Sequence, residues 1–382
     1  MKNKSLLLTA ITAVLMSACS KETNMDLPRS DKTASVRITV LGTKVVSTKA
    51  SGTLLPTPAE ENVIKNVTVG LFKTDGTTDV ISEGTLTDGH ITVTGTGGER
   101  QVVVVANAAS GVFAGALTKA EFLARTVALT QTKSELPMSG EGTNNVTLVA
   151  GATKAPEIDI VVSRLVARIQ LESLKTDFSA VGQYANAAFT LDKVFVYNVM
   201  SKSQVGVVSS ATTLVTSGLI HGWEGAGEGA ATIYTSLVDK VINTVIPAVP
   251  ASAYTIPYYF YVFQNYFADG IDNTNRGTAT KLVIAGWFTP NKNVPNTKYY
   301  VYYPAVINRT QSGTNISGTD NTGKSVNDIS NKGVLRNSIY SVAATIKNIG
   351  VNSPADFMEP TDLDLGVTVA DWALTVTQKV NF

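Results

Sequence analysis

The pattern with the sharpest chemical meaning in this sequence is Gly318-Thr-Asp-Asn-Thr-Gly323-Lys324-Ser325, whose spacing matches a phosphate-binding loop. Such a loop works when a buried strand runs into the glycines and a helix leaves them, so that backbone N–H groups converge on phosphate. Here Thr310-Gln-Ser-Gly-Thr-Asn-Ile-Ser317 precedes it and Val326-Asn-Asp-Ile-Ser-Asn-Lys332 follows, and neither reads as a buried strand or a helix. The stretch is a Ser/Thr/Asn/Gly surface loop. The two histidines, His90 and His221, each adjoin a glycine and have no His-x-x-x-His spacing or carboxylate cluster around them, so no metal centre is expected. Asp269-Gly-Ile-Asp272-Asn-Thr-Asn275-Arg-Gly277 resembles a calcium loop only in composition. Counted from Asp272, Arg276 takes the fifth position and Val283 the twelfth, where an acidic ligand belongs. Asp, Asn and Gly favour turns for backbone reasons, and a hairpin turn accounts for the segment. No Gly-x-Ser-x-Gly occurs and no nucleophile–base pair stands out, so no catalytic residues and no cofactor are expected. The runs Tyr258-Tyr-Phe-Tyr261 and Tyr299-Tyr-Val-Tyr-Tyr303 offer rings for sugar stacking. Strands with aromatics on both faces explain them better.

Cys19 is the only cysteine of 382 residues, so no disulfide can staple the monomer. Lys2 and Lys4 precede the apolar run Leu6 to Leu15, and Met-Ser-Ala leads into Cys19. That order is a signal peptide over residues 1–18, too short for a permanent membrane span. A lone cysteine directly behind it resembles the lipobox of bacterial lipoproteins, which implies lipidation of Cys19 and attachment to the outer membrane. Residues 19–35 then read as a polar tether. Loss of 1–18 removes two lysines from a net charge of +1, leaving −1, which gives no electrostatic case for nucleic acid.

Charged residues make up 16% and apolar ones 44%, which favours folded domains over disorder. Val36, Ile38 and Val40 open an alternating strand that runs to Val46, followed by a small polar loop at 47–53. Val63–Lys73, His90–Gly95, Gln101–Asn107, Asn145–Ala150 and Glu157–Val162 follow as short strands between turns. Arg164-Leu-Val-Ala-Arg168 restarts the pattern. Longer strands come next: Phe189–Asn198, Tyr258–Tyr266, Lys281–Phe288, Tyr299–Asn308 and Asn337–Lys347. The spacing predicts an all-β, mainly antiparallel chain with a few short helices, in two tandem β-sandwich domains at 36–163 and 164–382. One helix is signalled by Thr118 as N-cap with Glu121 three residues on, and by Leu117 and Phe122 placed for a hydrophobic staple. Thr235 to Ile246 fits a helix or a strand. The final stretch, 364–382, alternates on one parity through Leu365, Val367 and Val369. It alternates on the other through Trp372, Leu374, Val376, Val380 and Phe382, so a bulge is expected near Ala370-Asp371.

Several segments, taken in order, resemble the FimA-type fimbrillins of Bacteroidales, the subunits of type V pili. They are the lipoprotein signal at Cys19, Val36-Arg-Ile-Thr-Val40, Glu135-Leu-Pro-Met-Ser-Gly140, Arg164 to Arg168, Tyr303-Pro-Ala-Val-Ile-Asn308, Arg336-Asn-Ser-Ile-Tyr340 and Val369-Ala-Asp-Trp372. The resemblance implies a non-enzymatic fimbrial subunit at the cell surface, exported as an outer-membrane lipoprotein. It implies cutting by a trypsin-like protease in the loop after the first strand and removal of that strand (36–46). The C-terminal strand of a neighbouring subunit then fills the groove. The cut would fall between Lys49 and Ala50, where the best-known family members carry arginine. The donor residues would be Trp372, Leu374, Val376, Val380 and Phe382. Two other readings stay open: an uncut anchor or accessory subunit, and a monomeric glycan-binding lipoprotein that uses the tyrosine-rich strands.

Overall fold

The computed structural model of the chain describes residues 32–42, 55–178, 182–206, 218–222, 237–239, 243–248, 251–255, 258–294, 296–309, 315–317, 332–358 and 363–371. Cys19, Lys49, Ala50, the 318–325 loop and Trp372, Leu374, Val376, Val380 and Phe382 lie outside the described residues.

The first half of the chain runs β1 (Thr33–Gly42), α1 (Pro58–Glu61), β2 (Val67–Lys73), β3 (Thr78–Gly84), β4 (His90–Thr96), β5 (Gly98–Ala106) and α2 (Lys119–Ala124). It continues with β6 (Thr126–Ala128), β7 (Met138–Glu141), β8 (Val146–Leu148) and β9 (Glu157–Arg164). One sheet takes the order β3-β2-β5-β7-β9-β1-β4, with β8 on β5. Its pairs are antiparallel except β1 with β9, which run parallel. One core serves it, drawing Ile38 from β1, Leu71 from β2, Val104 from β5 and Ile160 from β9. The first strand begins at Thr33, so Thr33–Ser35 belong to it and not to the expected tether; 43–46 fall outside the described residues.

β7 and β9 pair antiparallel, and Gly140 allows the backbones to approach closely just past that pairing. A Cβ on Gly140 would stand 2.1 Å from the Val161 carbonyl oxygen and 3.2 Å from Ile160 Cγ2. The obstacle is backbone and cannot rotate away. Gly140→Ala is expected to destabilise the first half by about 3 kcal/mol, the upper part of the usual overpacking range, as measured by chemical denaturation.

The second half runs β10 (Val166–Thr176), β11 (Ala188–Tyr197), β12 (Val199–Met200), β13 (Lys202–Gln204), β14 (Leu219–Ile220), β15 (Val238–Asp239) and β16 (Thr244–Val245). Then come β17 (Tyr258–Phe263), β18 (Asn265–Tyr266), β19 (Lys281–Thr289), β20 (Tyr299–Val306) and β21 (Asn315–Ser317). The described chain ends with β22 (Gly333–Val334), β23 (Ser338–Ile346) and β24 (Leu363–Asp371). Two sheets, β17-β10-β23-β24-β21 and β15-β11-β19-β20 with β16 on β11, share a core that includes Ile169, Phe189, Val196, Ile284, Tyr303 and Val342. Arg164, expected to open this half, is the last residue of β9.

The halves touch through shared strands. Alternate residues of β17 serve different cores: Tyr258, Phe260 and Val262 the second, Tyr261 and Phe263 the first. The first tyrosine run is therefore core on both faces, while Tyr299 of the second run is 51% exposed. A three-residue ladder pairs β6 with β13 across the halves. The Gln131 side chain completes the contact by donating from Nε2 to the Tyr261 carbonyl (2.7 Å) and accepting at Oε1 from the Tyr261 N–H (2.8 Å). It occupies the place of a neighbouring strand on the edge of β17.

Two local expectations change. Thr118 caps α2 and accepts from Glu121 N at 3.1 Å, but Glu121 reaches back to the N–H of Leu117 and Leu117 is 69% exposed, so no staple closes. Within 235–246, the described segments pair with β11 as short strands at Val238–Asp239 and Thr244–Val245. The Asp269–Gly277 segment is a turn. Asp272 Oδ1 accepts from the N–H groups of Thr274 (2.8 Å) and Asn275 (3.0 Å), as an Asx turn does.

Candidate functional site

The first strand occupies an unusual place. It is the first described element of the chain, yet it lies inside its sheet, hydrogen-bonded on one side to β4 and on the other to β9. The register runs from Thr33↔Thr96 to Thr39↔His90 on one flank and from Arg37↔Glu157 to Gly42↔Val162 on the other. Alternation then sorts its side chains. Val36 and Ile38 are fully buried, Ala34 and Val40 nearly so. Burying a side chain of this kind stabilises a fold by about 1.5–3 kcal/mol, so the three branched residues alone contribute about 5–9 kcal/mol as an upper bound. That is comparable to the whole stability of a typical domain, about 5–15 kcal/mol. Without β1, its flanks would stand about 9–10 Å apart, two strand spacings, with a row of backbone donors and acceptors on each lip.

Its outward face is polar and tied to both flanks. Ser35 Oγ lies 2.9 Å from Thr94 Oγ1, and Thr39 Oγ1 lies 3.0 Å from His90 Nδ1. Arg37 Nε is 3.6 Å from Glu157 Oε1, an exposed pair worth little. Exposed Leu41 and Val161 face each other in register at the strand's end.

The chain resumes beyond the 43–54 segment in a short piece held by several residues outside β1. Thr57 and Glu60 form a reciprocal capping box around α1 with Pro58 in its first turn, so two N–H donors at the start of this four-residue helix are satisfied. Lys133 pairs with Glu60, and the ammonium hydrogen bond, with the Thr57 N–H, holds the Glu60 carboxyl down to about 2. Lys65 bonds Glu135 at 2.5 Å. Glu61, 1% exposed, is the deepest anchor. Its Oε1 accepts from Arg168 Nη1 at 2.7 Å and from the Tyr261 hydroxyl at 2.6 Å. Burial and then the Glu61 carboxylate push the Tyr261 phenol well above its ordinary range, keeping it a donor. Arg164 bonds the Glu61 carbonyl and the Asn62 side chain. Five residues from three distant parts of the sequence thus meet where the chain resumes after 43–54.

At the other end of the chain, β24 pairs antiparallel with β23 from Ser338↔Asp371 to Ile346↔Leu363, and β21 runs parallel along its other side. Leu365, Val367 and Val369 are thereby committed to their own sheet. The register is continuous through Ala370 and Asp371, so the bulge expected there is not present in the described pairing. His90 sits on the β1 flank and His221 packs against Tyr197 with ring centroids 5.0 Å apart. No group of three metal-ligating side chains is found among the described residues. The Glu61–Arg168–Tyr261 cluster was not legible beforehand. Arg168 stood out, but its partners lie 107 and 93 residues away along the chain.

Residues 34–180 match the family model described as major fimbrial subunit protein (FimA), a span that starts inside β1 and ends beyond β10. A fimbrilin (FimA) from Porphyromonas gingivalis W83 is similar at 20% identity and a TM-score of 0.61, over 91% of this chain and 100% of that one. A candidate cell adhesion protein from Bacteroides eggerthii DSM 20697 gives 21% and 0.62, over 90% and 98%. Another, from Parabacteroides distasonis ATCC 8503, gives 22% and 0.60, over 89% and 99%. At these identities the likeness is one of fold. No curated protein matches the chain.

Proposed function

We propose that this chain, with a FimA-type region at 34–180 and the fimbrillin fold along its length, is a structural subunit of a cell-surface fimbria and not an enzyme. It reaches the surface as an outer-membrane lipoprotein through Cys19, is cut between Lys49 and Ala50, loses β1, and accepts the C-terminal strand of a neighbouring subunit in its place. The observation that carries this reading is the position of β1, a chain-proximal strand held between β4 and β9. Its following loop ends at a separately anchored helix. A strand so placed can leave after one backbone cut without unthreading any other element. The slot it leaves has a row of unpaired backbone groups and an apolar floor, which an extended peptide of alternating apolar residues satisfies by strand addition. Trp372, Leu374, Val376, Val380 and Phe382 supply that alternation.

Limited trypsin treatment of the protein starting at Ser20 tests the reading. N-terminal sequencing should return Ala50 as the new terminus, and an unboiled denaturing gel should show a ladder of oligomers. Deleting 372–382 should leave the cut and the monomer intact and remove the ladder. A clipped protein that stays monomeric, or a truncation that unfolds the monomer, would sink strand exchange as the function.

A further inference from the structure

A donor strand that leaves its own subunit needs a fixed root, and the residues before β24 are fastened in an uncommon way. The chain leaves β23 at Ile346 and crosses to β20, where Tyr302 and Val351 exchange backbone hydrogen bonds of 2.9 Å in both directions. The Tyr303 hydroxyl donates to the Asn348 carbonyl at 3.0 Å. Ser353 and Asp356 then close a turn, Ser353 N donating to Asp356 Oδ2 at 3.1 Å. Against this turn lies Lys281, first residue of β19 and 0% exposed. Its ammonium donates to three successive carbonyls, Pro354 (3.2 Å), Ala355 (2.8 Å) and Asp356 (3.3 Å). Phe357 follows, its ring 4.4 Å from Lys281 Nζ and 4.1 Å from the Arg276 guanidinium carbon. Met358 is buried in the second core.

A lysine has three donors, and here all three are spent on the backbone of one turn. An apolar side chain would fill the space and leave those carbonyls unsatisfied. Burial pulls the Lys281 ammonium down to about 8, so the site holds a charge at some cost to the subunit's own fold. A residue kept at such a place for core packing alone would be apolar. Four residues separate Met358 from β24, the strand from which the proposed donor segment continues.

The geometry points to Lys281 as a positioning residue that anchors the C-terminal arm, fixing residues 348–358 ahead of β24 so that the segment beyond β24 can pass to a neighbour while β24 and its own second core stay closed. This rests on the strand-exchange reading above, and the root alone is judged on the monomer. Lys281→Met in the full chain, followed by amide hydrogen exchange, is the test. Amides of 351–357 are expected to exchange at least tenfold faster, with those of β19, β23 and the first half unchanged. Phe357→Leu, which leaves the lysine in place, should raise exchange over the same residues by about threefold and decides the matter if Lys281→Met does not fold. Unchanged exchange at 351–357, or a rise spread evenly over the second core, would overturn the proposal. If the wild-type protein never assembles while the local rise is seen, the anchor stands and the exchange reading falls.

Discussion

Ile38→Asp should cripple the precursor and leave the matured subunit untouched. Ile38 is fully buried in the middle of β1, with Val36 and Val40 on the same face. The substitution removes about 1.5–3 kcal/mol of apolar burial and buries a carboxylate with nothing to neutralise it. A total loss above about 4 kcal/mol follows, a large share of the stability of a small domain. Equilibrium denaturation of the uncut protein should show this as a large fall in midpoint. If β1 is cut off and replaced as proposed, position 38 drops out of the assembly, and the oligomers should dissociate at the same temperature as wild type. A mutation deep in a core would then have no effect on the finished structure. Equal destabilisation of precursor and oligomer would mean that β1 never leaves.

The second large effect concerns the anchor behind the loop. Arg168→Met removes the guanidinium that neutralises Glu61, whose side chain is 2% exposed. Breaking a buried pair from one side costs about 3–5 kcal/mol, because the remaining charge keeps its desolvation penalty. Replacing the set together, Glu61→Leu with Arg168→Met and Tyr261→Phe, should recover most of that loss, as apolar substitutes for buried ion pairs often do. Denaturation midpoints of the single and triple variants measure both. If the single variant loses less than about 1 kcal/mol, the cluster behaves as a surface pair and does not fix the end of the loop.

Much of the fold was legible because a strand with one buried face writes its period into the sequence. β5, β9, β19 and β23 lie close to where alternation put them, and β1 differs from its expected start by three residues, Thr33 against Val36. What alternation does not encode is direction. The parallel pairings of β1 with β9 and of β10 with β23 leave the same period as antiparallel ones. β3 gave no signal because its residues are half-buried or exposed on both faces. The four-residue α1 hid in a proline-rich stretch, although Thr57-Pro-Ala-Glu60 contains its capping box in plain order. The site was legible in part. The alternating faces of β1 and of the C-terminal stretch could be read directly. The anchors could not: Lys281 meets carbonyls 73 to 75 residues further along, and a carbonyl carries no side-chain identity to recognise.

Gln131 removes one place where the molecule could bind another chain. A strand at the rim of a sheet is an open bond for any passing chain, and β17 would be one at the joint between the halves. The carboxamide of Gln131 closes it with one donor and one acceptor. Asp79 of β3 reaches the opposite edge strand of the first sheet, β4, taking the Thr96 N–H at 2.9 Å while Arg100 neutralises it at 2.8 Å. On the strand-exchange proposal, loss of β1 opens an acceptor slot between β4 and β9, and the segment beyond β24 is the donor. Units that each carry one such slot and one such strand would add head to tail, so their growth would be linear and polar, without branches.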